Sequence, residues 1–211
     1  MTSTPSTTID SKTSSSGLAD AAKEEKLFNA VESNGVDTVK TFNKDELLKL
    51  CEKRRYFSSE RSSPYEELQT AYQRACLLGH TDIAKCMLDA GVPVNQGFDG
   101  GDSFSTMRSA FLFACQSHSI PIIKMLLDAG APVNQYGSCS LDYVGHFLGS
   151  TNIPFRSLTH PINWEDGWEI LFPIHFAILH DDYELSKLLI TPTTYTLFMM
   201  RNLTPLHIAC I

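Results

Sequence analysis

Six cysteines and seven histidines are the residues of this chain that could form disulfides or hold a metal ion. Structural zinc sites use closely spaced cysteine pairs such as CxxC, followed by a second pair of cysteines or histidines. No CxxC pair occurs here, and the histidines are not grouped at ligand spacing. Cys76 and Cys115 lie 39 residues apart, an offset that recurs elsewhere in the chain. We therefore expect buried, reduced thiols, and neither a metal nor a cofactor.

A second candidate for chemistry is the Gly-rich stretch GFDGGDSFS at 97–105. It lacks the Lys-Ser/Thr pair of a phosphate-binding loop. Ser103 could be a hydrolase nucleophile, but no strand, turn and helix are predicted around it, and no His and Asp follow in a recognisable arrangement. We therefore predict a non-catalytic protein. A hydrolase is the least favoured alternative, which labelling of Ser103 by a fluorophosphonate probe would support.

The overall composition is that of a globular protein with an acidic balance. Hydrophobic residues make up 43% of the chain, and the net charge is −7. This charge argues against nucleic-acid binding, because neutralising phosphates needs clustered Lys and Arg. The one basic run, Lys53-Arg54-Arg55, is interpreted as the solvated face of a helix. Neither a membrane span nor a signal peptide is found, so we expect a cytoplasmic protein that could also enter the nucleus.

One phrase occurs twice, as MLDAGVPVNQ at 87–96 and as LLDAGAPVNQ at 126–135. Repeats at such a period mark stacked supersecondary units, each too small to bury its apolar face alone. When the repeats are aligned on their alanines, four segments are predicted to open a unit as its first helix. The small Ala in each lets a neighbouring helix approach closely. Their apolar triplets are Tyr72/Ala75/Cys76, Phe111/Ala114/Cys115, Ile174/Ala177/Ile178 and Leu206/Ala209/Cys210.

A second helix follows in each of the first three units. Residues at the ends of the helices support this pattern. Thr70, Ser109 and Thr204 suit N-cap positions, Pro173 and Pro205 suit a first helical turn, and Gly91 and Gly130 suit the left-handed residue that ends a helix. The core positions of the second helices are Ile83/Cys86/Met87, Ile122/Met125/Leu126 and Leu185/Leu188/Leu189.

These segments resemble ankyrin repeats. TPLHIAC at 204–210 is similar to the opening of the ankyrin motif, and GHTDIAKCMLDAGVPVN and HSIPIIKMLLDAGAPVN are similar to its second helix and exit loop. The resemblance covers roughly residues 66–211, with 20–60 as a degenerate N-terminal cap. It implies an all-α ankyrin-repeat solenoid whose role is protein–protein recognition.

The chain also departs from the ankyrin pattern. TAYQ and SAFL replace TPLH in the first two openings, FPIH lacks an N-cap in the third, and Thr193 replaces the helix-ending Gly. The alanine offsets are 39, 63 and 32, against a family period of about 33. The loops after the first two repeats are therefore extended. Ile211 falls inside the first helix of a fourth repeat, which we interpret as truncated.

The resulting organisation has seven segments. They are a disordered Ser/Thr-rich tail at 1–18, a degenerate helical cap at 19–60, ankyrin repeats at 66–96, 105–135 and 168–193, an aromatic-rich insertion at 136–167, and a truncated repeat at 200–211.

The resemblance also implies which residues contact a partner. In ankyrin repeats these are the finger loops before each first helix and the exposed end of that helix, whereas the motif's histidine, here His175 and His207, hydrogen-bonds to neighbouring backbone. The implied finger residues are Glu66, Glu67, Gln69, Thr106, Arg108, Trp168, Glu169 and Leu171. The implied helix-end residues are Leu77, Leu78, Gln116, Ser117, Leu179 and His180.

The insertion adds Trp164 to this set, because Trp and Tyr are frequent interface anchors. It either packs as a lid on its own repeats or binds the partner. The acidic Glu66, Glu67 and Glu169 favour a basic protein segment, while Leu77 and Leu78 could instead bury against the extended loop. A more specific alternative is the substrate-recognition arm of a cullin-type ubiquitin ligase whose recruiting box is missing from this sequence. We expect a protein partner, with no nucleic acid and no membrane.

Overall fold

The computed structural model describes residues 11–57, 67–96, 109–135, 137–140 and 168–192, and this part of the chain is mostly helical. In chain order the elements are α1 (Ser11–Glu32), α2 (Val36–Lys40), α3 (Lys44–Cys51), β1 (Arg54–Phe57), β2 (Glu67–Thr70), α4 (Ala71–Leu77), α5 (Thr81–Asp89), α6 (Ala110–Gln116), α7 (Ile120–Asp128), β3 (Gly137–Ser140), β4 (Trp168–Leu171), α8 (Pro173–Leu179) and α9 (Tyr183–Leu189). None of the helices described is long and apolar enough to cross a membrane.

Helix α1 begins at Ser11, inside the segment predicted to be a disordered tail. The prediction for 1–18 is therefore wrong for residues 11–18, whereas residues 1–10 lie outside the described part. The buried side chains Leu27, Ala30 and Val31 fall on one face of α1 at the predicted helical spacing. Burial of this face against later helices supplies the energy that the Ser/Thr-rich start of the helix lacks.

The same tight turn joins the two helices of four successive pairs. Its second residue has a positive φ in every pair: Asn34 (54°), Gly79 (75°), His118 (55°) and Asp181 (53°). The N–H of the following residue donates to the carbonyl five residues earlier: Gly35 to Ala30 (2.7 Å), His80 to Ala75 (3.0 Å), Ser119 to Ala114 (3.2 Å) and Asp182 to Ala177 (2.8 Å). The carbonyl groups at the end of each first helix are satisfied in this way. The pair α1–α2 therefore shares the turn of the other three, although the repeated phrase is absent from its sequence.

The predicted N-caps are confirmed where the structure describes them. The Thr70 hydroxyl accepts from the Gln73 N–H at 3.2 Å, and Ser109 accepts from the Leu112 N–H at 3.3 Å. The Gln73 side chain makes the reciprocal hydrogen bond, because its Oε1 accepts from the Thr70 N–H at 2.8 Å. These caps satisfy donors that the first turn of a helix leaves unpaired.

The helix pairs stack in chain order, and one continuous core runs between them. Among the first helices, α1 packs on α4, α4 on α6 and α6 on α8; among the second helices, α2 packs on α5 and α5 on α7. Small residues lie at the contacts between the first helices, because Ala30, Ala75, Ala114 and Ala177 are all buried. The thiols of Cys76 and Cys115 are also fully buried, as predicted from their shared position.

Two antiparallel hairpins join the pairs, so the prediction of a purely helical fold was incomplete. Strand β1 pairs with β2 between the first and second helix pairs, with Phe57 opposite Glu67 and Arg54 opposite Thr70. Strand β3 pairs with β4 between the third and fourth. Backbone pairing of this kind depends on two segments distant in sequence, which the helical periodicity of either segment does not reveal.

The second helices end as the sequence predicts in two of three cases. Gly91 and Gly130 have φ values of 96° and 89°, a conformation that costs other residues about 1–2 kcal/mol. Helix α9 instead ends at Leu189, and Ile190 is extended with ψ 121°. The substitution of Thr193 for Gly lies outside the described residues.

Tyr72 is a fully buried side chain whose hydroxyl has no hydrogen-bond partner within the described chain. Burial raises the pKa of this hydroxyl above its ordinary value, and the Cys76 and Cys51 thiols add to the effect. An unsatisfied buried hydroxyl destabilises the folded state by about 1–3 kcal/mol. We therefore expect Tyr72→Phe to raise the free energy of unfolding by about 1 kcal/mol, measured by chemical denaturation.

Tyr183→Phe is the matched control, because Tyr183 is 72% exposed and substitutions at such sites stay within about 0.5 kcal/mol. Destabilisation of Tyr72→Phe by more than about 1 kcal/mol would mean that the Tyr72 hydroxyl does make a hydrogen bond.

Candidate protein-binding surface

The first finger is the hairpin β1–β2, which carries two of the predicted contact residues. Glu67 lies at the start of β2, opposite Phe57, and Gln69 lies opposite Arg55. The side chain of Gln69 is only 1% exposed. The prediction that Gln69 contacts a partner is therefore wrong, because a side chain buried at the base of the hairpin is not available to one. Glu66 lies outside the described residues.

The second finger is the hairpin β3–β4, which begins inside the predicted insertion. Trp168 lies opposite Ser140, Glu169 opposite Cys139, and Leu171 opposite Gly137. The insertion is therefore bracketed by paired strands, with 141–167 between their ends. Trp164, Thr106, Arg108 and the Gly-rich stretch at 97–105 lie outside the described residues, as does the final segment at 200–211.

The helix-end residues are half-buried in all three repeats. Leu77, Leu78 and Leu179 pack against the hydrophobic core from the side. The Ser117 hydroxyl donates to the Cys76 carbonyl of the preceding helix pair at 3.0 Å. Ser117 therefore stabilises the stack itself, and what remains at this edge is a partly apolar surface.

An arginine–phenylalanine cluster lies where the first finger meets the first two helix pairs. The Arg55 guanidinium lies 4.5 Å from the Phe28 ring centroid, the Arg74 guanidinium 4.4 Å from that of Phe57, and the two rings are 5.8 Å apart. Such cation–π contacts add to the apolar burial of the rings. The cluster fixes the base of the first finger against α1.

Both arginines of this cluster are also paired with acids. Arg55 Nε lies 3.1 Å from Glu24 Oε1, and Arg74 Nε lies 2.6 Å from Glu32 Oε1. The interpretation of the basic run as a helix face is wrong, since Arg54 and Arg55 lie in β1. The apolar spacing of α1 gave no signal of this cluster, because its members come from three separate elements.

His175 is the one histidine of the predicted ankyrin motif that the structure describes. Its Nδ1 accepts a hydrogen bond from the Phe172 N–H at 3.0 Å, so the ring satisfies the backbone donor of the residue that precedes α8. Gln73 makes the equivalent bond in the second helix pair. Burial lowers the pKa of His175 to about 4. A neutral imidazole that is hydrogen-bonded to the backbone stabilises the helix. It is poorly placed for proton transfer.

Three of the described thiols, those of Cys51, Cys76 and Cys115, are similarly unsuited to nucleophilic chemistry. Cys51, Cys76, Cys86 and Cys115 are free cysteines. Burial raises the pKa of Cys51 to about 12 and holds those of Cys76 and Cys115 well above the ordinary thiol value. Because the thiolate is the reactive form, these groups behave as small apolar side chains. No cluster of three or more potential metal ligands occurs within the part of the chain described.

The fold of this chain has matches among solved structures. No family model matches the sequence, and no curated protein matches it. The crystal structure of the human ASB11 ankyrin repeat domain matches with a TM-score of 0.48 at 18% identity, covering 87% of this chain and 62% of that one. The chain therefore spans less than two thirds of that domain. We therefore base the interpretation of the fold on the turns, caps and hairpins described above, and not on this match.

Proposed function

We propose that this chain is a non-catalytic protein-interaction module built from ankyrin repeats. The observation that carries the proposal is the turn shared by four stacked helix pairs, together with the hairpins that join them. In such an array each unit contacts mainly its neighbours, and the hairpins and helix ends form an extended surface suited to another protein. The described histidine and thiols of the motif serve packing, which leaves this surface as the functional part.

The partner surface that we propose centres on the second finger. The strands β3 and β4 hold the two ends of the insertion together, since Ser140 lies opposite Trp168. Insertions in repeat arrays fall on loops, often on the binding face. Trp164 and Trp168 are the proposed anchors, and Glu169 with Glu66 and Glu67 of the first finger would favour a basic segment.

The helix ends complete the proposed surface with Leu77, Leu78, Gln116, Leu179 and His180. Their partial burial suits the rim of an interface, where side chains exclude water from the anchors. Thr106 and Arg108 belong, by their place in the repeat, to a further finger before α6, which falls between the first and second fingers in sequence. Gln69 is left out of the surface because it is buried, and Ser117 because its hydroxyl is engaged within the stack.

The test compares Trp168→Ala with the wild-type chain in binding to a protein recovered by affinity capture from native cells. We expect the dissociation constant to rise by a factor equivalent to about 2 kcal/mol, as for an interface anchor, while the melting temperature is unchanged. Trp168→Phe is the matched control, which keeps an aromatic ring and should retain most of the affinity.

A large drop in melting temperature with full affinity in Trp168→Ala would mean that the insertion is a lid on its own repeats. Charge reversal at Glu169 should weaken binding of a basic partner. Unchanged binding would contradict the proposal that Glu169 favours a basic segment. Recovery of a cullin-type ligase together with the partner would support the alternative of a substrate-recognition arm.

A further inference from the structure

Three titratable side chains meet where the turn α6–α7 approaches the turn α8–α9. His118 Nδ1 lies 3.0 Å from Asp182 Oδ2. The rings of His118 and His180 meet edge to face, with centroids 3.6 Å apart. This contact joins the third and fourth helix pairs at the edge of the stack. The structure describes no equivalent group at the other turns, where the residues at the His180 position are Ser33, Leu78 and Ser117.

Local structure fixes each member of this cluster in place. His118 occupies the positive-φ position of its turn, and its backbone N–H donates to the Cys115 carbonyl at 3.3 Å. Asp182 is the N-cap of α9, because its Oδ1 accepts from the Leu185 N–H at 2.9 Å. One oxygen of the carboxylate therefore caps the helix and the other binds the imidazole. The cluster therefore consists of one carboxylate and two imidazole rings.

These contacts indicate which atoms of the cluster carry a proton. A neutral His118 that donates from Nδ1 to Asp182 has its acceptor nitrogen at Nε2, which is buried and has no hydrogen-bond partner among the described residues. Burial, together with the neighbouring His118, lowers the pKa of His180 to about 4, and Asp182 opposes the shift. Burial disfavours ionisation of Asp182, but hydrogen bonds from His118 and from the Leu185 backbone hold the pKa of its carboxyl below the ordinary value.

Two charged imidazoles at this separation would repel, and one carboxylate can offset only one of them. The charges that act on His180 are those of His118 and Asp182. Helix α6 carries no charged residue, and Glu184 and Lys187 on α9 lie 3.8 Å apart as a pair of their own. The other titratable groups on the turns and helices packed here are Cys115 on α6, His175 on α8, Asp181 beside the cap, Tyr183 on α9, and Lys124 and Asp128 on α7.

We propose that His118, His180 and Asp182 form a proton-operated latch between the third and fourth helix pairs. With His180 neutral, its ring packs against His118 and the Asp182 carboxylate holds both turns together. Protonation of both imidazoles separates the turns and loosens α8 and α9 from α6 and α7. Because α8 follows β4 directly, opening would also release the base of the finger that carries the insertion. This inference does not depend on the proposed function.

The direction of the pH effect follows from linkage. An unfolded histidine titrates near 6.5, whereas folded His180 titrates near 4. The open state therefore binds more protons between these values, so that opening becomes easier as the pH falls through this range. The latch is closed at neutral pH and weakens progressively in mild acid.

Amide hydrogen exchange followed by NMR tests the latch, with a His175→Gln background to remove the second buried histidine of α8. Between pH 6.5 and about 4.5 we expect protection factors in α8 and α9 to fall roughly 10-fold more than those in α4 and α5. His180→Ser should abolish this excess, because Ser117 occupies the equivalent position in the third pair. A uniform loss of protection across all helices, or a full excess remaining in His180→Ser, would overturn the proposal.

Asp182→Asn provides a second and independent arm. Asn is as good an N-cap as Asp, so helix α9 should remain capped while the negative charge is removed. Without that charge the two imidazoles repel at a higher pH, and we expect the midpoint of opening to rise. An unchanged midpoint in Asp182→Asn would contradict the latch even if His180→Ser failed to fold.

Discussion

Phe111→Ala should destabilise the chain by about 3–5 kcal/mol, the range for truncating a buried aromatic side chain. Phe111 is fully buried on α6, and α6 packs against both α4 and α8. A cavity at this position is therefore lined from two sides, and neither neighbour can collapse into it without leaving its own partner. Urea denaturation followed by circular dichroism measures the change.

Lys124→Ala is the control, because Lys124 is exposed on the following helix and its loss should change stability by no more than about 0.5 kcal/mol. A loss below about 1 kcal/mol in Phe111→Ala would show that α6 is not at the centre of the stack. Unfolding in two steps would show that the helix pairs on either side unfold separately, as repeat arrays permit.

His175 should make the stability of the chain fall in mild acid. Burial lowers its folded pKa to about 4 from an ordinary value of 6.5, so the unfolded state binds more protons between these values. The free energy of unfolding therefore decreases as the pH falls through 6.5 and levels off below about 4. The full loss attributable to His175 is about 3 kcal/mol, and urea titrations from pH 7 to pH 4 would measure it.

His175→Gln is the matched variant for this prediction. Gln73 makes the equivalent side-chain bond to the helix start in the second pair, so Gln at 175 can keep the hydrogen bond while removing the titrating group. We expect the acid-dependent loss to shrink in this variant, with the remainder attributable mainly to His180, whose folded pKa is also about 4. An unchanged pH profile would mean that His175 is exposed to water in solution.

Local sequence was sufficient to predict the helix pairs and many of their ends. Ala75, Ala114 and Ala177 were placed correctly because a small residue at a fixed helical spacing marks a close helix contact wherever it occurs. The caps Thr70 and Ser109 and the helix-ending Gly91 and Gly130 were also found. Each of these caps is a hydrogen bond between residues within one turn of one another, and each positive φ belongs to a single residue. The local sequence therefore encodes both features.

Contacts between distant segments were decided by the tertiary structure. Gln69 was expected on the surface and is buried, because its environment is set by Arg55 across the hairpin and by the helix pairs beneath. Arg55 was expected on a helix and lies in a strand whose partner begins ten positions after that strand ends. The first helix pair adopts the shared turn without the repeated phrase, because burial of Leu27 against the next unit compensates for weak local signals. The meeting of His118 with Asp182, 64 residues apart, likewise depends on how the helix pairs stack, and no spacing within either turn records that arrangement.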